Sequence, residues 1–298
     1  MQIKENKMDK FKGIFPALLT PFDKNNRINE KALEELIEMN IKKGVTGFYV
    51  CGSTAEVFLL SNEERKNLYK IVKDIAGERC TLIAHVGAIS TGEAIECAKL
   101  AEKLEYDAVS AVAPFYYKFS FEEIKKYYYD IADSVNLPML IYNFPNFSGV
   151  NLTYNNIGEF LCDERFIGVK HTSNDYFSME RFKNEYPDKV IYNGFDEMFL
   201  AGISMGADGG IGSTYNFMAE KFIKMQRLVS EGKIAEAQKI QADVNKIVAA
   251  LIKVGVMQGE KAVLCALGLD FGISRAPFID CSREAKDELI KTVMPLLN

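Results

Sequence analysis

Lys170 closes the apolar run Phe166-Ile167-Gly168-Val169 and is followed by the polar stretch His171-Thr172-Ser173-Asn174-Asp175. A lysine in that position sits where a buried strand opens into a polar pocket, and burial there disfavours the ammonium. A neutral amine is a nucleophile toward carbonyl carbon; an ammonium with an ordinary pKa of ~10.4 is not. Most lysines at strand ends simply reach solvent, so the surrounding chain has to raise the odds for Lys170.

Other short runs end in groups that complement an amine. Gly47-Phe48-Tyr49-Val50 leads to Gly52-Ser53-Thr54, two hydroxyls with approachable backbone N–H groups, suited to a small carboxylate. The plainer alternative is a Gly-Ser turn that caps the next helix. Met139-Leu140-Ile141 leads to Tyr142, a phenol able to relay protons or, more commonly, a core tyrosine. Gly194, Asp196 and Glu197 follow a later run, and Ser213 follows the last one. The acids could accept hydrogen bonds from a polyol, or they could mark a helix start.

The elements that would position these groups repeat. Ser61…Glu64, Ser90…Glu93 and Ser120…Glu123 each read as a capping box at a helix start. Their spacing of about thirty residues is one strand-plus-helix unit. Near-continuously apolar strands alternating with amphipathic helices imply a parallel sheet covered by helices. Eight such runs, starting near residue 14 and ending near residue 211, predict an α/β fold of the (β/α)₈ TIM-barrel type. Active sites of that barrel lie at the C-terminal strand ends, where the candidate residues fall. Residues 1–225 are assigned to the barrel and 226–298 to a C-terminal helical extension packed on it, with helices expected over 234–253, 259–267 and 282–297.

Composition narrows the classes. With 298 residues, 48% apolar and 26% charged, the chain reads as a globular enzyme. A net charge of −5 without a basic stripe gives no reason to expect nucleic acid. Six scattered cysteines without a C-x-x-C pair read as free thiols in a reducing compartment. The polar start at residues 1–7 lacks a signal peptide's apolar core, and no apolar run suffices to span a membrane. The expected location is cytoplasmic. His85 and His171 are the only histidines and lack metal-ligand spacing; His85 reads as a buried strand-end residue and His171 as pointing away from Lys170. No metal and no cofactor are expected. No G-x-G-x-x-G follows the first strand, and adjacent acids rarely flank one glycosidic bond.

Gly52-Ser53-Thr54-x-Glu56, Tyr142-Asn143-x-Pro145 and Lys170 together resemble the N-acetylneuraminate lyase and dihydrodipicolinate synthase superfamily of Schiff-base aldolases, from about Phe11 to near the C-terminus. Pro114-Phe115-Tyr116-Tyr117, Lys170-His171-Thr172-Ser173, Gly194-Phe195-Asp196-Glu197 and the segment 209–216 look like the lyase branch. Phe147 stands where the synthase branch usually carries an arginine; Ala55 replaces a common glycine and Phe195 a tyrosine of some lyases. The resemblance implies reversible cleavage of N-acetylneuraminate to pyruvate and N-acetylmannosamine by a homotetramer, without a cofactor. In it Lys170 forms the Schiff base and Tyr142 shuttles the proton. Ser53 and Thr54 hold the carboxylate, while Thr172, Gly194, Asp196, Glu197 and Ser213 bind the polyol. Alternatives are a related 2-keto-3-deoxy sugar acid aldolase, a dihydrodipicolinate synthase, and a non-catalytic sugar-acid binding protein.

Overall fold

The chain's computed structural model describes residues 8–297, so the polar start at residues 1–7 lies outside them. The first half runs β1 (Gly13–Pro16), α1 (Glu30–Lys43), β2 (Gly47–Val50), α2 (Asn62–Ala76), β3 (Thr81–His85), α3 (Thr91–Lys103), β4 (Ala108–Val112) and α4 (Phe121–Asp133). Then come β5 (Met139–Asn143), the short helices α5 (Pro145–Ser148) and α6 (Gly158–Leu161), β6 (Phe166–His171), α7 (Tyr176–Glu185), β7 (Val190–Asn193), α8 (Phe199–Ser204) and β8 (Gly209–Gly212). Helices α9 (Tyr215–Ser230), α10 (Ile234–Val254), α11 (Val256–Ala266) and α12 (Arg283–Leu297) end the described chain.

All strand pairs are parallel, in the order β1-β8-β7-β6-β5-β4-β3-β2. The seam between β1 and β2 is bridged by Thr46 N donating to Ile14 O at 2.9 Å and Leu18 N to Tyr49 O at 3.0 Å. The eight strands thus form the expected barrel. Its apolar residues fall into two layers. One lies inside the barrel and includes Phe15, Tyr49, Ile83, Leu140, Tyr142, Tyr192 and Ile211; the other lies between strands and helices.

Local signals explain the helix starts unevenly. Ser61 and Ser120 form complete capping boxes with Glu64 and Glu123. Ser90 makes no side-chain cap, which corrects the third expected box; Glu93 instead accepts a hydrogen bond from Asn62 on the neighbouring helix at 2.8 Å. Residues 225 and 226, where barrel and extension were divided, both lie inside α9. Helices α10, α11 and α12 follow the ranges expected for the extension closely. Gln241 on α10 docks onto the barrel, accepting from Leu200 N at 2.8 Å and donating to Asp196 O at 3.1 Å.

One irregularity decides which way Lys170 points. Strand residues alternate between faces, so from Phe166 in the outer layer, Lys170 would also face outward. The register between β5 and β6 shifts: Met139 pairs with Phe166, but Leu140 pairs with Gly168. The extra residue, Ile167, turns into the barrel, Val169 returns to the outer layer, and Lys170 faces inward. Gly168 permits this path, since a Cβ there would stand 1.8 Å from Val190 O of β7. Gly168→Ala is therefore expected to force β6 and β7 apart and to cost about 3 kcal/mol. A lowered urea midpoint would show it; an unchanged midpoint would refute the close-packing explanation.

Candidate active site

Parallel register puts the two central residues side by side. Tyr142 pairs with Lys170 across β5 and β6, and Lys170 pairs with Tyr192 across β6 and β7. The Lys170 Nζ lies 4.1 Å from the Tyr142 ring centre and 4.5 Å from that of Tyr49. Tyr49 is held from behind by a 3.0 Å hydrogen bond with Ser110. Lys170 is 4% exposed. Burial brings its pKa down to about 7, with Asp196 acting the other way. A substantial fraction of the amine is therefore neutral at physiological pH.

The same cavity, about 400 Å³, is lined by Ser53, Thr54, Tyr142, Lys170, Thr172, Gly194, Asp196, Glu197 and Ser213. All nine residues singled out in the sequence meet there. Burial pushes the Tyr142 phenol up to about 12, and the hydroxyls of Ser53 and Thr172 pull it down. The phenol thus stays protonated at rest and faces hydroxyl partners through which a proton can pass. Thr172 Oγ1 is buried without a hydrogen-bond partner.

Asp196 sits in a three-residue 3₁₀ turn after β7. Its Oδ2 accepts from Thr214 N at 2.8 Å and Thr214 Oγ1 at 2.7 Å, while Oδ1 has no partner. Burial raises its pKa to about 6, against the Thr214 hydrogen bonds. Gly212 lets the carboxylate pack closely, because a Cβ there would stand 1.9 Å from Oδ1. Gly194 similarly leaves room for Thr172, whose Oγ1 would lie 1.9 Å from an added Cβ.

The turn carrying Ser53 and Thr54 is tied down from the extension. Glu56 follows it at φ 57°, a left-handed conformation unusual for glutamate. Its carboxylate meets Lys261 Nζ of α11 at 2.6 Å and accepts Arg275 N at 2.7 Å, with the Glu56 and Lys261 side chains almost fully buried. Arg275 in turn reaches Glu64 and the Asn26 carbonyl. The Phe22 ring contacts both cations, 4.2 Å from Lys261 Nζ and 4.3 Å from the Arg275 guanidinium carbon.

Sequence reasoning missed several contributors. Tyr49 sat inside its strand run without a polar neighbour to flag it. Phe144 and Phe278 line the cavity, and so do Val248, Leu251, Ile252, Val256 and Met257 from α10 and α11. Helical periodicity shows such residues as apolar but cannot say which surface they cover. Phe147, in the expected arginine position, is largely exposed and packs its edge on Phe144 with ring centres 4.4 Å apart. Phe195 also meets Phe144, at 6.1 Å. His85 is buried between the Cys51 carbonyl and Val112 N, and His171 faces Phe182 outside the barrel, both as expected. Among the described residues no three His, Cys, Asp or Glu come together as metal ligands.

Two outcomes follow from this geometry. Imine formation with pyruvate should speed up through about pH 7 and level off above it, as Lys170 loses its proton. Asp196→Asn, which removes a carboxylate favouring the ammonium, should move that inflection to lower pH; an inflection near pH 10 would contradict the buried amine. Lys261→Met leaves Glu56 buried without its cation and should cost about 3–5 kcal/mol in urea unfolding. A wild-type midpoint in that variant would show the pair to be dispensable.

The chain is similar to known proteins over nearly its whole length. The dihydrodipicolinate synthetase family model matches residues 10–295. The N-acetylneuraminate lyase of Rhizobium meliloti (strain 1021) is 43% identical over 289 residues, covering 97% of this chain and 96% of the relative. The solved structure of CdNal from Clostridium difficile in complex with mannosamine superposes with a TM-score of 0.93 at 41% identity, covering 96% of this chain and 99% of that one. N-acetylneuraminate lyase from Fusobacterium nucleatum superposes with a TM-score of 0.92 at 41% identity, covering 97% and 100%. Matched by that family model over nearly its whole length, the chain belongs to the dihydrodipicolinate synthetase family.

Proposed function

We propose that this protein is a Schiff-base aldolase that reversibly cleaves N-acetylneuraminate to pyruvate and N-acetylmannosamine. The observation that carries the reading is a near-neutral Lys170 amine confined between Tyr49 and Tyr142, beside the Ser53-Thr54 turn. N-acetylneuraminate lyase relatives of similar length support the substrate. The synthase alternative is disfavoured by Phe147, which cannot pair with a second carboxylate.

In this reading Ser53 and Thr54 hold the carboxylate of the open-chain 2-oxo acid. Lys170 Nζ attacks the C2 keto carbon, and loss of water gives an iminium. The flanking aromatic faces favour a cation, so the positive charge tolerates this otherwise apolar setting. Tyr142 relays the proton of the C4 hydroxyl, taking it up as its own phenolic proton passes to the substrate carboxylate. The C3–C4 bond breaks, its electron pair moves into the iminium to form an enamine, and the sugar leaves as an aldehyde. Protonation at C3 and hydrolysis release pyruvate and restore the amine. The iminium is the electron sink, so the reaction asks for no metal or cofactor. Thr172, Gly194, Asp196, Glu197 and Ser213 bind the polyol.

A homotetramer belongs to the same reading through the family resemblance. A cytoplasmic setting is supported by six unpaired cysteines; no helix among the described residues is long and apolar enough to cross a membrane.

Pyruvate with borohydride should add a stable mass to the protein, and Lys170→Ala should abolish both the adduct and pyruvate release from N-acetylneuraminate. An adduct on Lys170→Ala would end the assignment. Tyr142→Phe should lower kcat by ~10²–10⁴-fold while the pyruvate adduct still forms. Faster pyruvate release from 2-keto-3-deoxygluconate than from N-acetylneuraminate would move the substrate to the related aldolase class.

A further inference from the structure

The cavity wall is backed by an ionisable group that the chemistry above does not use. Glu260 on α11 is fully buried. Ser213 Oγ donates to its Oε1 at 2.5 Å, and Oε2 has no hydrogen-bond partner. Ser213 lines the cavity whereas Glu260 stands behind it. A hydroxyl has one proton and two lone pairs. With its proton committed to Glu260, Ser213 turns only lone pairs toward the cavity. Its neighbours add acceptors and few donors. Thr214 N and Oγ1 are already engaged by Asp196 Oδ2, and the acids Asp196 and Glu197 line the same cavity.

We infer that Glu260 is a positioning residue that makes Ser213 a hydrogen-bond acceptor, so that this wall selects a sugar hydroxyl acting as donor. The inference rests on the aldolase reading and concerns its sugar end alone. Burial raises the Glu260 carboxyl to about 8, opposed by Ser213 and reinforced by Asp196. The acceptor role belongs to the carboxylate, and to the neutral acid when its proton sits on the unpartnered Oε2, which leaves the lone pairs of Oε1 to Ser213. A glutamine at this position keeps them too; a leucine does not.

The test runs the reaction toward condensation, with saturating pyruvate. The acceptors are N-acetylmannosamine and analogues in which one hydroxyl at a time becomes hydrogen or fluorine. For one hydroxyl, wild type and Glu260→Gln should lose about tenfold in kcat/KM on either replacement, chiefly through KM. Glu260→Leu and Ser213→Ala should treat that analogue within about threefold of the parent, and combining them should add nothing further. All variants should form the borohydride-trapped pyruvate adduct as wild type does. The inference is overturned if Glu260→Leu discriminates like wild type. It also falls if wild type accepts fluorine but not hydrogen, since the wall would then be donating, or if Glu260→Leu loses the adduct, which marks a structural role. A wild type that traps no pyruvate refutes the aldolase reading instead.

Discussion

Removing water from one ammonium group is the constraint on which this molecule depends. An amine of ordinary pKa would be inert at neutral pH, and Lys170 escapes that state because the barrel interior gives it aromatic faces in place of solvent. Asp196 works against this by favouring the charged form. Its pull is smaller than the effect of burial. In the proposed reaction, too much desolvation would make the iminium costly. The tyrosine rings resolve the conflict, being apolar toward water and attractive toward a cation.

That arrangement hangs on backbone geometry as much as on side-chain chemistry. Lys170 faces inward only because the β5–β6 register slips by one residue around Ile167. The helices beyond the barrel then finish what the strands begin. Glu56, held by Lys261 and Arg275, fixes the turn that presents Ser53 and Thr54. A buried ion pair of this kind is weak as net stabilisation, but losing one partner is costly. It acts here as a specification of geometry, joining α11 and the 273–275 segment to the mouth of β2.

Much of this was legible in the sequence, for identifiable reasons. Strands buried on both faces read as short apolar runs, and polar groups at their ends read as a site because the barrel gathers those ends. Ser61 and Ser120 behaved as their spacing predicts, whereas Ser90 has the same spacing without the cap. A motif marks an opportunity for a hydrogen bond, and local backbone decides whether it forms. The bulge that turns Lys170 inward was not legible, since it leaves no trace in an apolar run. Tyr49 looked like any strand residue, and Glu260 looked like an acid on an amphipathic helix. Their roles arise from contacts between segments far apart in the chain, which periodicity does not record.

Glu260 and Lys261 are consecutive on one helix, yet they serve opposite ends of the cavity, one behind Ser213 and the other beside Glu56. Neighbouring helical residues project about 100° apart, so both are aimed by a single helical phase. That phase is set at Gly255, where the left-handed backbone at φ 94° separates α10 from α11. Inserting or deleting one residue between Gly255 and Glu260 would swing both carriers off target together, whatever their identities. The five-residue step from Gly255 to Glu260 thus carries a constraint on length as well as on residue type.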